Sequence, residues 1–287
     1  MRLAEVETHI ASMGELLDIV GAMRSLASMR MQEAHRALPS IRRYAEAMAQ
    51  AIGSALLLLP EPGLGRGAVP SRRALILCTA EHGFVGGFNA RLLDAAENGF
   101  DRGDAVFVIG SRGAILARER GWMTAWARPM ATRPQGAAET VRPLTAELYR
   151  SIARRRISCV DVMFLCHPQG GAATIEQRQL LPIDPARFAT RRPGPPPLHN
   201  LAPDLLIEKL VADYVFARLT EAVVESLASE NAARFAAMGS AYDNVSKKLE
   251  ELRQDARLAR QDEITTELLD LVTGAEASQS AERAATA

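Results

Sequence analysis

Residues 203–273 read PDLLIEKLVADYVFARLTEAVVESLASENAARFAAMGSAYDNVSKKLEELRQDARLARQDEITTELLDLVT, with no proline after Pro203 and one glycine, Gly239. In the second half of this stretch, apolar or small residues fall at Phe235, Met238, Tyr242, Val245, Leu249, Leu252, Ala256 and Ala259. Their steps alternate three and four, the heptad spacing of a helix that turns one narrow seam to a partner helix. At about 1.5 Å per residue such a helix would run to about 105 Å. A compact domain of this chain's size has a radius of gyration of only about 19 Å. The spacing therefore predicts a helix that outruns its own domain.

Residues 3–59 supply a second seam. It runs through Leu3, Val6, Ile10, Met13, Leu17 and Val20, slips by one position, and resumes at Met23, Ala27, Met31, Ala34, Leu38, Ile41, Ala45, Met48 and Ile52. A slip of this kind alters the local supercoil without ending the helix, whereas Pro39 is expected to kink or break it near Leu38. Two seams at opposite ends of the chain predict an antiparallel two-helix coiled coil; the alternative, two helices of a compact bundle, is disfavoured by the length of the C-terminal pattern.

Between them the period changes. A loop at 60–71 leads to short apolar runs at Ala74–Cys78, Ala105–Ile109 and Val160–Leu165, with a fourth, edge-like run at Thr174–Leu181. Helical stretches at Ala90–Asn98, Gly113–Arg120 and Leu144–Arg155 separate them. Alternating strands and helices predict a small Rossmann-like α/β domain over 72–182, with a mainly parallel sheet, inserted between the helices 1–59 and 203–275. Residues 183–203, with Pro195, Pro196 and Pro197, read as an extended linker. The small polar tail 276–287 is expected to be disordered.

Composition narrows the function. Lys and Arg balance Asp and Glu at 34 each, and aromatics are 5%, so neither a basic face nor a base-stacking platform points to nucleic acid. The longest strictly aliphatic run, Ala55–Leu59, is far shorter than a membrane span of about 20 residues. Cys78, Cys159 and Cys166 and the five histidines have no ligand spacing, so no metal or cofactor is expected. The strand-to-helix turn Gly83-Phe84-Val85-Gly86-Gly87 could cradle a phosphate. However, it has neither the dinucleotide nor the P-loop spacing and no lysine in place. A tight turn built on Gly83, Gly86 and Gly87 is the expectation, and Glu81-His82 reads as a solvated pair, not an acid/base couple. Two rival readings stay open on the residues alone: a small nucleotide-binding α/β enzyme with helical arms, and a coiled-coil adaptor. The end of the long helix is the other informative place. There the seam stops after Ala259 and restarts at Ile264, Leu268 and Leu271, and such a tip needs another protein around it.

Two segments carry a resemblance. Residues 227–238, LASENAARFAAM, followed by Tyr242-Asp243-Asn244, and residues 259–275, ARQDEITTELLDLVTGA, resemble motifs of the gamma subunit of rotary F-type ATP synthases. The turn from Gly83 to Asn89 resembles that family's G-L-C-G-G-x-N turn, and Ile10–Ser12 with Ala22-Met23 fits its N-terminal helix. The resemblance spans nearly the whole chain in the same order. It implies a non-catalytic rotor shaft that couples ion flow through a membrane c-ring to the cycling of catalytic beta subunits. The implied partners are the alpha and beta subunits, epsilon and the c-ring, and the implied place is peripheral, on the cytoplasmic face of a bacterial inner membrane. By match to the motifs, Arg234, Arg260, Gln261, Thr265 and Glu267 would contact the alpha–beta ring, and Met23 would face a beta-subunit lever. Departures at Ala80–Asn89 and Leu26–Met31 would suit a divergent second copy from an alternative bacterial operon.

Overall fold

The computed structural model describes residues 3–59, 72–99, 101, 103–154, 156–168, 171–188 and 198–285, with side chains as far as residue 273. The predicted loop 60–71 and the three prolines 195–197 lie outside the described residues. The elements are α1 (Leu3–Leu56), β1 (Arg73–Cys78), α2 (Phe88–Asn98), β2 (Ala105–Ile109), α3 (Ser111–Glu119), β3 (Thr124–Arg128), α4 (Ala137–Ala153), β4 (Cys159–Cys166), β5 (Thr174–Leu181) and α5 (Pro203–Ala285). They form two compact units, residues 26–237 and residues 1–25 with 238–287. Helices α1 and α5 contribute to both.

In the larger unit the five strands lie in the order β3-β2-β1-β4-β5, parallel except for β5, which runs antiparallel to β4. The three inner parallel strands β2, β1 and β4 are apolar apart from Arg73 and Asp161, because helices cover both faces. Ile76, Phe107, Val162 and Phe164 point to one face, where they meet Ala34 and Leu38 of α1, Leu144 and Leu148 of α4, and Val215, Leu219 and Val223 of α5. Leu75, Leu77, Val108 and Leu165 point to the other and pack on Phe88, Leu92 and Ala96 of α2. Two glycines let the loop after β2 close on β1. A Cβ on Gly110 (φ +115°) would clash with the Thr79 carbonyl oxygen, and one on Gly113 with the Thr79 side chain, so no side chain fits at either position.

In the smaller unit α1 and α5 run antiparallel. Glu7 pairs with Arg260 at 2.6 Å, while further along α1 a Cβ at Gly21 would touch the Tyr242 ring at 3.5 Å. Every residue of both predicted seams, the slip included, is buried or half-buried.

Four elements depart from the sequence expectation. Helix α1 continues through Pro39, and α4, expected from Leu144, begins at Ala137 and carries Pro143 inside it. A proline removes one helical hydrogen bond, but buried residues flank each one: Ala34, Leu38 and Ala45 in α1, and Val141 and Leu144 in α4. Packing of a buried face supplies most helical stability in proteins. Strand β3 gives little apolar signal because it is an edge with mostly exposed side chains. Helix α5 runs on to Ala285 instead of ending at Ala275. The tail's Ala, Glu, Gln and Arg residues are strong helix formers.

Candidate functional site

In the larger unit, α5 carries a polar stripe into the core. Every residue from Glu221 to Glu230 is buried. Ser226 Oγ donates to the Cys78 carbonyl and Ser229 Oγ to the Leu165 carbonyl, both at 2.8 Å. Cys78 ends β1, and Leu165 stands at the same end of β4. Those two neighbouring strands flank the point where the chain order of the sheet reverses. In doubly wound sheets the crevice beyond this point is where ligands bind. Here the chain's own helix fills it. That placement removes the physical basis for the nucleotide-binding reading of the glycine turn.

One helical turn either side, the stripe becomes charged. Glu221 accepts from Arg42 of α1 (3.3 Å) and Arg218 (2.7 Å), and forms an ion pair with Arg178 of β5 (3.2 Å). Glu225 also pairs with Arg42 and accepts from Cys166 Sγ at 3.5 Å. Burial, followed by the Glu225 charge, pushes the Cys166 thiol up to about 11, so it stays protonated and weakly reactive. At the other end, Arg234 Nη2 donates to Glu230 Oε1 at 2.6 Å and to the carbonyls of His82 and Gly83, while Nη1 donates to Asn231 Oδ1. Arg234 is therefore buried and held by its own chain. The motif match assigns Arg234 a contact with a partner ring, and the structure places it in the foot, 7% exposed.

The turn itself is braced from both sides. Asn89 Oδ1 accepts from the Ala80 N–H at 2.9 Å. Glu81 accepts from the Ser111 N–H and hydroxyl and from the Met130 N–H, at 3.0, 2.7 and 2.7 Å. Burial opposes its charge, but these donors outweigh burial and hold its carboxyl below the ordinary value. Glu81 thus ties β1 to the start of α3 and the end of β3, and is not a solvated residue. Of the three turn glycines only Gly86, at φ +55°, needs glycine's freedom. A Cβ on Gly83 or Gly87 would meet nothing.

In the smaller unit the structure brings Arg260, Gln261, Thr265 and Glu267 together on the exposed end of α5. Thr265 Oγ1 donates back to the Gln261 carbonyl at 2.8 Å, and Arg260 reaches Glu7. Leu258, Ile264, Leu268, Leu269, Leu271 and Val272 are equally uncovered, Leu271 being 70% exposed. Met23 is half-buried on α1. Sequence reasoning missed the Arg42–Glu221–Arg178 cluster and the Ser226 and Ser229 anchors. Their signal was present: polar residues at 221, 225 and 229, and at 226, 230 and 234, form two rows of three at four-residue spacing along an otherwise apolar stretch of helix.

An α/β foot whose switch-point crevice is filled by its own helix, joined to an antiparallel helical pair, defines the class as a foot-and-shaft protein. The chain belongs to the ATP synthase family, whose model matches residues 2–277, as a gamma chain, a non-catalytic subunit of the rotor. It is 27% identical over 287 residues to the ATP synthase gamma chain of Thermobifida fusca (strain YX), covering 94% of each chain. To that of Chromobacterium violaceum it is 29% identical over 284 residues, covering 95% of this chain and 98% of the relative. Its fold is similar to a chain of the Euglena gracilis mitochondrial ATP synthase rotor, with TM-score 0.62 at 10% identity, covering 91% of this chain and 98% of that one. It is also similar to a chain of the Tetrahymena thermophila mitochondrial ATP synthase central stalk and c-ring structure, with TM-score 0.54 at 16% identity, covering 78% and 99%. As a gamma chain it is part of a membrane-associated complex. Among the described residues no helix is long and apolar enough to cross a membrane.

Proposed function

We propose that the uncovered end of α5 is the part of this shaft that engages a catalytic ring of alpha and beta subunits, and that the α/β foot meets epsilon and a membrane c-ring. The complex would sit on the cytoplasmic face of a bacterial inner membrane. One observation carries this reading: a single helix, Pro203–Ala285, is wholly buried in the foot at 221–230 and wholly exposed at 261–270. Arg260, Gln261, Thr265 and Glu267 are the polar contacts with the ring, and Met23 faces a beta-subunit lever. An exposed polar pair contributes about 1 kcal/mol or less, so the grip needs several of them acting with the apolar residues between. The shaft then acts as an asymmetric ligand. It favours a different conformation of each catalytic site as it turns, and ion flow through the c-ring sets its angle.

Co-purification tests the reading. The chain is tagged at its N-terminus in its native host, membranes are solubilised gently, and partners and ATP hydrolysis are measured. Alpha, beta and epsilon subunits with hydrolysis are expected, and the operon encoding them separates a housekeeping from an alternative enzyme. A partner-free chain would overturn the reading.

A further inference from the structure

Ser226 and Ser229 hold α5 to the sheet with neutral hydrogen bonds, but the contact with turn 81–84 is charged. The backbone N–H groups of Glu81 and His82 favour the charged form of Glu230 against its burial, whereas the carbonyls of His82 and Gly83 accept from the Arg234 guanidinium at 3.4 and 3.3 Å. The anion thus meets the donor side of the turn and the cation its acceptor side. Glu230 Oε2 is buried without a hydrogen-bond partner. Burying such a pair contributes little net stability compared with apolar packing, but it fixes one register of helix on turn. The next residue, Phe84, is exposed and held at φ +60°, a conformation that a bulky residue keeps only where its surroundings impose it.

We propose that Glu230 and Arg234 are positioning residues that key the shaft helix to the foot, so that turn 81–84 and α5 rotate as one body. This rests on the rotor reading above. Its consequence is that loosening the key uncouples rotation from ion movement while leaving ATP hydrolysis on the partner subunits.

Two measurements test it on Glu230→Gln, Arg234→Lys and the exchanged pair Glu230→Arg with Arg234→Glu. The first is amide hydrogen exchange over residues 79–88 in the full chain. The second is ATP-driven ion pumping against ATP hydrolysis by the whole complex in membrane vesicles. Arg234→Lys keeps the charge but loses the planar fork that reaches two carbonyls and a carboxylate together. In both single variants exchange at the turn should quicken about tenfold, and pumping should be lost with hydrolysis retained. The exchanged pair should restore neither, because it would set a carboxylate against carbonyls. Wild-type exchange in both single variants overturns the key. So does faster exchange with unchanged pumping, and so does rescue by the exchanged pair, which would reduce the contact to an ordinary ion pair. If the wild-type chain joins no complex, the rotor reading fails, and the exchange rates alone uphold or overturn the key.

Discussion

Helix α5 presents two ten-residue stretches with the same backbone and opposite surroundings. Residues 221–230 contain three glutamates and two serines, and all ten residues are buried; residues 261–270 contain an equally polar set, and all ten are exposed. In the foot each of those polar side chains has a partner within the chain, because an unpartnered buried charge would cost several kcal/mol. At the tip the polar side chains are free to meet another protein, and the leucines beside them are just as uncovered. Residue type therefore does not separate a shaft's internal fastening from its grip. The surroundings do.

The largest effect expected to sharpen that contrast is Leu219→Ala. Leu219 is fully buried among α1, α4 and the sheet, and truncation should cost about 3 kcal/mol, read as a lower urea midpoint for the full chain. Next is Glu221→Ala, which strips the shared carboxylate from Arg42, Arg178 and Arg218. Arg42 keeps Glu225 and is half exposed. The expected loss is therefore about 2 kcal/mol, less than for a fully buried pair. An unchanged midpoint would mean that the cluster is surface charge and not an internal fastening.

The same contrast explains what could be read in advance. Both coiled-coil seams were legible to the residue, because a strip of close contact between two helices admits only apolar or small side chains at three–four spacing. The buried strands were legible as apolar runs. Strand β3 was not, since an edge with solvated side chains carries no run. Arg260, Gln261, Thr265 and Glu267 were assigned a contact with the ring through resemblance alone, and all four are exposed. Arg234 was assigned the same role on the same ground and lies buried. A motif marks a position as constrained, but it does not say whether the constraint comes from a partner or from the chain's own core. Likewise the eye goes to Gly83, Gly86 and Gly87, whereas the positions with no room for a side chain are Gly110 and Gly113, whose neighbour Thr79 is distant in sequence.

A smaller effect separates the two carboxylates that brace the turn, through pH. Glu81 has its folded pKa lowered from 4.5 by its three donors, although burial opposes them. Its contribution is complete above that value and lost as pH falls through the lower folded one. The stability gap between wild type and Glu81→Gln should therefore be constant near neutrality and close in strong acid. Glu230 has its folded pKa raised, chiefly by burial. Its contribution is complete below 4.5 and lost as pH rises through the folded value, so Glu230→Gln should gain on wild type as pH rises. Parallel pH profiles for wild type and both variants would deny the two residues their opposite surroundings.

The smallest expected change in stability is at the tip. Leu268 is 57% exposed, so Leu268→Ala in the full chain should shift stability by less than about 0.5 kcal/mol. On the proposed grip the same change should lower ATP-driven pumping by the whole complex, because that reading has a partner cover the side chain. The pair of measurements matters more than either alone. A substitution that leaves the chain intact and weakens the machine locates the grip at the tip. One that costs as much as Leu219→Ala would mean that the chain covers Leu268 by itself, and the distinction between the two halves of α5 would collapse.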